Sequence, residues 1–271
     1  IIAENGDLIK QISRQGRGPG EYENPTSLGV FNEDLILLDQ RLSRITRYIS
    51  DNKTSLFKPE YSGSHELDMT DLCISDVEIF VHGSSEHYTI HKIDSTLDSV
   101  GESFGEGYEP NDLIQREISS NGKLACDDQF VYSGFVADNI LRIYDIESGS
   151  LLKNIEFKEI RPVEVSVINR DGMEAISHQF YQGEAYDERG GYHDHLLSLV
   201  LIDNFLLVQY ERSFSDSEVD QQYIVSLMVD PESGEYSMTK DLPLIFDYND
   251  QVFVVGGDYP LPHIELRSIY Q

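Results

Sequence analysis

The sequence predicts an all-β fold, a six-bladed β-propeller of four-stranded antiparallel blades, forming a single domain over residues 1–271. Three observations predict it. Helical periodicity is almost absent along the chain, and short apolar or alternating runs rich in strand formers recur instead. Turn pairs punctuate these runs at Asn5-Gly6, Asp51-Asn52, Asp94-Ser95, Ser148-Gly149, Gly190-Gly191 and Ser233-Gly234. The turns fall roughly 42–54 residues apart, the period of a propeller blade with about four strands.

Taken in order, the strand candidates are Leu8–Ile12, Leu35–Leu38, Ile45–Ile49, Glu78–His82, Tyr88–Ile93, Phe130–Tyr132, Leu141–Tyr144, Leu196–Ile202, Phe205–Tyr210, Tyr223–Val229, Leu244–Phe246, Val252–Val255 and Ile264–Ile269. The final segment holds three candidates, so Leu8–Ile12 is expected to supply its fourth strand and close the last blade, which also removes an exposed edge. The fourth blade, over residues 160–192, is the least regular. Its run from Met173 to His195 lacks alternation and is rich in polar and aromatic residues. The alternative is an excursion there, with five blades and a long loop.

Between the first two strand candidates lies Gly16-Arg17-Gly18-Pro19-Gly20-Glu21-Tyr22-Glu23-Asn24-Pro25. Three glycines and two prolines in ten residues exclude regular helix or a central strand. The glycines Gly16, Gly18 and Gly20 permit backbone angles closed to other residues, and Pro19 and Pro25 fix one angle without an amide donor. Tyr22 is expected to pack its ring between sheets and to find a partner for its hydroxyl. Arg44 and Asp39 are expected to pair across a hairpin. These are structural roles, weighed above ligand contact.

This run, followed by Asp34-Leu35-Ile36-Leu37-Leu38-Asp39 and Arg44-Ile45-Thr46-Arg47-Tyr48, resembles the NHL-type propeller repeat. It is especially similar to six-bladed propeller proteins of Bacteroidetes-like bacteria, many of them exported or lipid-anchored and without known function. A degenerate second copy is Phe104-Gly105-Glu106-Gly107-Tyr108-Glu109-Pro110. The resemblance implies a periplasmic or cell-surface location, lipid-anchored before trimming, and agrees with a chain that begins on Ile1 and shows no signal peptide.

Charge narrows the partners. Against 49 Asp and Glu stand 20 Lys and Arg, a formal charge of -29, and such a surface repels nucleic acid. No apolar run reaches the ~20 residues that span a bilayer as helix. Cys73 and Cys126 sit in apolar strand-like segments and are read as buried free thiols rather than as a bridge.

Chemistry concentrates between residues 178 and 195, where His178, Tyr181, Glu184, Tyr186, Asp187, Glu188, Tyr192, His193, Asp194 and His195 cluster. His193 and His195 share a face if the segment is a strand. With Asp187 they form a candidate zinc site, and with His178, Tyr181, Tyr186 and Tyr192 a candidate ligand surface. The competing reading is a polar loop that holds histidines by chance. Calcium is the other candidate ion, at Asp216, Ser217, Glu218 and Asp220 or at Asp247, Asn249 and Asp250, read as two acidic loops. Neither has the spacing of an EF-hand, so a solvated turn competes with each. No Gly-x-Ser-x-Gly elbow, His-Glu-x-x-His or P-loop occurs, and no catalytic residue is assigned.

The expected function is therefore a non-enzymatic, monomeric binding module for a small molecule or protein. The alternative is a calcium- or zinc-dependent hydrolase or lyase, similar to the lactonase-like and amidating-lyase-like propellers.

Overall fold

The computed structural model describes residues 14–51, 56–85, 87–105, 112, 114, 118–162, 164–170, 173–179, 192–214, 222–240, 242–249, 252–257 and 263–268. The chain is all-β and of the propeller kind, built from successive antiparallel meander sheets. The first sheet holds β1 (Pro25–Phe31), β2 (Asp34–Asp39), β3 (Arg44–Asp51) and β4 (Leu56–Ser64). The second holds β5 (Asp68–Ile74), β6 (Ile79–Ser84), β7 (Ile90–Ile93) and β8 (Val100–Phe104). The third holds β9 (Gly122–Cys126), β10 (Phe130–Phe135), β11 (Ile140–Asp145) and β12 (Leu151–Glu156). A two-stranded ribbon follows, β13 (Glu164–Arg170) with β14 (Met173–Gln179). The fourth four-stranded sheet holds β15 (Tyr192–Ile202), β16 (Phe205–Phe214), β17 (Gln222–Val229) and β18 (Tyr236–Thr239). The last sheet holds β19 (Leu244–Asn249), β20 (Val252–Gly257) and β21 (His263–Ser268).

By internal contacts the chain divides into two compact units. One is Ile1–Gly107 with Cys126–Val131 and Asp145–Ser150; the other is Tyr108–Ala125, Tyr132–Tyr144 and Leu151–Gln271. In the first unit Phe31, Ile36, Leu38 and Ile45 pack against Met69, Leu72, Ile79, Val81 and Ile93. Middle strands are buried on both faces, β6 almost throughout, which is why they read as unbroken apolar runs. Strands at the far edge, such as β8 and β18, have no buried residue, and Glu102 and Ser237 are among their exposed ones. In the second unit Leu207 and Ile245 form the heart of a smaller cluster with Ile202, Met228 and Leu242.

In the second, third and fourth four-stranded sheets the turn after the third strand is built on an aspartate. In Asp145-Ile146-Glu147-Ser148-Gly149 the carboxylate accepts from Ser148 N at 2.8 Å and Ser148 Oγ at 2.6 Å, and Gly149 N returns to Asp145 O at 2.9 Å. Asp230-Pro231-Glu232-Ser233-Gly234 repeats the pattern, with Ser233 Oγ donating to Asp230 at 2.8 Å and Gly234 N to Asp230 O at 2.8 Å. Gly149 and Gly234 have φ of 64° and 83°, which favours glycine. Asp94 caps a variant turn, accepting from Thr96 N, Thr96 Oγ1 and Asp98 N, and from the Ser99 hydroxyl.

These turns dock on the preceding sheet. Ser95 O accepts from Arg47 of β3 at 3.2 Å, a Cβ at Gly149 would lie 2.8 Å from Phe104 Cβ of β8, and Lys153 of β12 donates to Glu232 O at 2.6 Å. The last contact corrects the six-blade expectation. The sheet before β15–β18 is β9–β12, and the run expected to form a fourth blade makes only the β13–β14 ribbon among the described residues. Four sheets, not six, are four-stranded among the described residues. The expected closing strand, Leu8–Ile12, lies outside the described residues, as do the Asn5-Gly6 and Gly190-Gly191 turns.

A second correction concerns the cysteines, which form a disulfide, Cys73–Cys126, with Cα atoms 5.8 Å apart and a sequence separation of 53. Free thiols were the expectation because each cysteine stands alone in an apolar strand. Sequence does not reveal that β5 and the end of β9 are neighbours.

At the Gly16–Pro25 crossing the partners differ from the expected Asp39–Arg44 pair. Asp39 and Arg44 face one another in register, yet each side chain turns to the crossing. Asp39 accepts from Glu23 N at 2.5 Å and Asn24 N at 3.2 Å, while Arg44 donates to Glu21 O and to Arg17 O. The tyrosine that buries its ring here is Tyr48, donating to Gly20 O at 3.0 Å; Tyr22 is half-buried. Gly20, with φ of 72°, sits where a Cβ would come within 2.5 Å of Pro59.

Two predictions test the turns. Gly149→Ala forces a left-handed residue into Phe104 and is expected to destabilise by about 1–3 kcal/mol, whereas Gly101→Ala, with its nearest neighbour at 3.6 Å, stays within about 0.5 kcal/mol in the same denaturant titration. The Asp94 carboxyl, held down to about 2 by the Ser99 hydroxyl and then by Thr96, is expected to stay ionised well below the usual carboxylate range. Its contribution to stability is then fully present above pH ~4 and lost as pH falls through about 2, which side-chain carboxyl NMR reads directly.

Candidate functional site

The two longest strands, β15 and β16, meet through a tight turn at Asp203-Asn204, with φ of 51° at Asp203. Their outer ends carry the site. Near the turn the pairing runs Ile202↔Phe205 and Leu199↔Val208; a bulge between Leu196 and Ser198 then shifts it by one residue. Beyond the bulge, Asp194 faces Arg212, His195 faces Glu211 and His193 faces Ser213.

Alternation puts Asp194 on one side of the sheet and the two histidines on the other. Asp194 is fully buried. It accepts both arms of the Arg212 guanidinium, Nε on Oδ1 and Nη2 on Oδ2, each at 2.6 Å. Arg161 N donates to the same carboxylate at 2.7 Å, and Asp194 N donates to Arg161 O at 2.8 Å. Arg212 also donates to Glu159 O at 2.8 Å and lies 6.0 Å from the Tyr223 ring. Burial works to lower the Arg212 pKa, but the Asp194 hydrogen bonds and charge outweigh it and raise it. The pair is thus charged, bidentate and fixed, and it locks the end of β15 to the segment ahead of β13.

A second buried pair lies in the same unit, Arg142 on Asp138 at 2.8 Å, with the Arg142 guanidinium 4.1 Å from the centre of the Phe135 ring. Tyr210 is completely buried. Its hydroxyl pKa is raised well above the usual value by burial first, and then by the Asp138 and Asp194 charges.

On the opposite face His193 and His195 are half-buried with ring centroids 4.4 Å apart and planes at 55°. Burial lowers the His193 pKa, and the neighbouring His195 lowers it further against a smaller opposing pull from Asp194. Two further histidines, His82 and His91, are buried in the second sheet and serve its packing. His82 Nδ1 meets Thr70 Oγ1 at 2.7 Å, and His91 bridges Gly83 O and Ser103 Oγ at 2.8 Å each.

Of the candidate ligand residues, the structure brings His193 and His195 together on one strand face, as the strand reading required. His178 lies on β14 opposite Val165 and Tyr192 opens β15 opposite Phe214. Tyr181, Tyr186 and Asp187 lie outside the described residues, as do Glu184 and Glu188. Among the described residues no three His, Cys, Asp or Glu side chains converge as a metal site. Asp216, Ser217, Glu218, Asp220 and Asp250 also fall outside the description. Asp247 and Asn249 belong to strand β19, paired with Val254 and Val252, rather than to the loop expected there. Among the described residues no helix is long and apolar enough to cross a membrane.

No protein-family profile matches the chain, and no curated protein does. Solved structures do. A candidate exported protein from Bacteroides fragilis aligns over 95% of this chain and 73% of its own at 12% identity, with a TM-score of 0.56. That likeness concerns fold alone. The glutaminyl cyclase of Myxococcus xanthus aligns over 90% and 91% at 7% identity and a TM-score of 0.45. The β-propeller domain of Cps50 (Swd1) from Myceliophteria thermophila aligns over 98% and 88% at 8% identity and a TM-score of 0.48.

Removing one partner of the buried pair is expected to expose its function. Asp194→Ala leaves the Arg212 charge and the Arg161 amide uncompensated, so it should destabilise by roughly 3–5 kcal/mol. Urea unfolding measures it.

Proposed function

We propose that this chain is a non-enzymatic binding or interaction module that works outside the cytoplasm, in the periplasm or on the cell surface. The observation that carries the reading is the His193–His195 pair, presented on a strand whose other face is locked by the Asp194–Arg212 ion pair. A fixed backbone under two adjacent imidazoles is the arrangement that recognition needs, because little ordering remains to be done on binding. His178, Tyr181, Tyr186 and Tyr192, close in sequence, extend this surface in the proposal and supply aromatic and polar contacts to a small molecule or a protein.

The extracytoplasmic location is supported by the Cys73–Cys126 disulfide, since such bonds persist in oxidising compartments. The exported neighbour of similar fold agrees with it. Beside the four four-stranded sheets, β19–β21 forms a further sheet of three strands among the described residues.

A thermal-shift screen of carboxylates, saccharides and short peptides against the purified chain tests the reading. At least one hit is expected whose shift vanishes in His193→Ala and His195→Ala. Turnover of an ester, lactone or amide by the metal-supplemented protein, abolished by the same substitutions, would overturn it. Thiol titration of the denatured, unreduced protein is expected to find no free thiol, against the two that cysteine content allows in a reducing compartment.

A further inference from the structure

The geometry points to a divalent transition-metal chelate at the His193–His195 pair, an open site that takes zinc, copper(II) or nickel through two imidazoles and leaves its remaining positions to water or an incoming donor. This rests on the binding-module reading and names the ligand chemistry of the same face.

The two rings are within chelating reach. A tetrahedral ion with bonds of about 2.1 Å holds two imidazole nitrogens about 3.4 Å apart and their ring centroids about 5 Å apart. The His193 and His195 centroids are 4.4 Å apart with planes tilted by 55°, so the rings swing apart to take the ion. Two rings stacked flat at this distance would direct their nitrogens in parallel, whereas tilted rings can direct one nitrogen each toward a common point.

The backbone supplies the second argument. Residues two apart on a strand project the same way, so both donors come from one rigid element, and the bidentate Asp194–Arg212 pair between them fixes its pitch. The chelate is therefore preorganised at the level of the main chain. Glu211, opposite His195 in register and half-buried, is a cross-strand residue able to offer a carboxylate oxygen.

The donor set decides which ions are taken. Imidazole suits zinc, copper and nickel, while calcium and magnesium require oxygen donors. The charge of -29 enriches any divalent cation near the surface, but only the imidazoles discriminate among them. With two protein donors, the bound ion keeps positions open through which a carboxylate or another imidazole can join, so the metal itself would act as the contact point for a ligand.

Calorimetric titration of the full chain with zinc, nickel and calcium, together with the copper(II) EPR spectrum, tests this. One zinc or nickel per chain is expected, calcium is expected to leave this site empty, and the EPR spectrum is expected to show coupling to two nitrogens. His193→Ala and His195→Ala should each weaken binding by roughly tenfold or more, with His193→Asn and His195→Asn doing the same where the alanine variant melts early. Absence of zinc and nickel binding, or binding unchanged in folded variants, overturns the chelate and leaves the module reading standing. Zinc binding that passes these checks, accompanied by ester or lactone turnover, supports the chelate and overturns the module reading instead.

Discussion

A four-stranded meander cannot cover both of its own faces, and this constraint organises the whole chain. In the first unit Ile36 and Leu38 of β2 need Met69, Leu72 and Val81 of the next sheet above them, and those residues need β2 in return. Stability is therefore a property of neighbouring pairs rather than of any one sheet. The aspartate turns act at the same boundary. Each holds its own hairpin closed through its carboxylate and lays the result on the sheet before it, at Arg47, Phe104 and Lys153. Turn chemistry and sheet packing are thus one device used three times, with glycine at the tightest point in two of them and Leu97, fully buried, in the third.

Buried charge plays the complementary role in the second unit. Asp194 satisfies a guanidinium and an amide, and the guanidinium reaches on to Glu159 O, so the ionic group spans three segments. Such a pair adds little net stability over a well-packed apolar set, because desolvation offsets most of the attraction. Its value lies in specificity. It accepts one register of β15 on β16, and that register decides which residues share a face with the histidines.

Much of the strand pattern is legible in the sequence because it depends on local alternation and turn residues. Leu35–Leu38, Phe205–Tyr210 and Tyr223–Val229 fall inside β2, β16 and β17, and Ser148-Gly149 and Ser233-Gly234 are turns. What the period concealed is the difference between a blade and an insertion of similar length. The β13–β14 ribbon, Glu164–Gln179, lies in a blade-sized stretch of chain between β12 and β15, while Lys153 of β12 reaches Glu232 of the next four-stranded sheet directly. The same-face placement of His193 and His195 follows from strand periodicity alone. Their ion-pair support does not. Symmetry about the Asp203-Asn204 turn would set Asp194 against Ser213, and only the bulge at Leu196–Ser198 substitutes Arg212. Bulges have no reliable sequence mark, and the pairing of Cys73 with Cys126 depends on a contact between sheets that no local pattern encodes.

The disulfide also separates two states in the life of the chain. With its cysteines separated by 53 in sequence, an oxidised bond removes enough freedom from the unfolded polypeptide to be worth about 4 kcal/mol in the chain-entropy picture. Before oxidation that increment is missing, so the reduced chain unfolds more readily. After oxidation the increment appears, and the same molecule becomes harder for proteases to open. One covalent bond thereby separates an easily opened state from a persistent one.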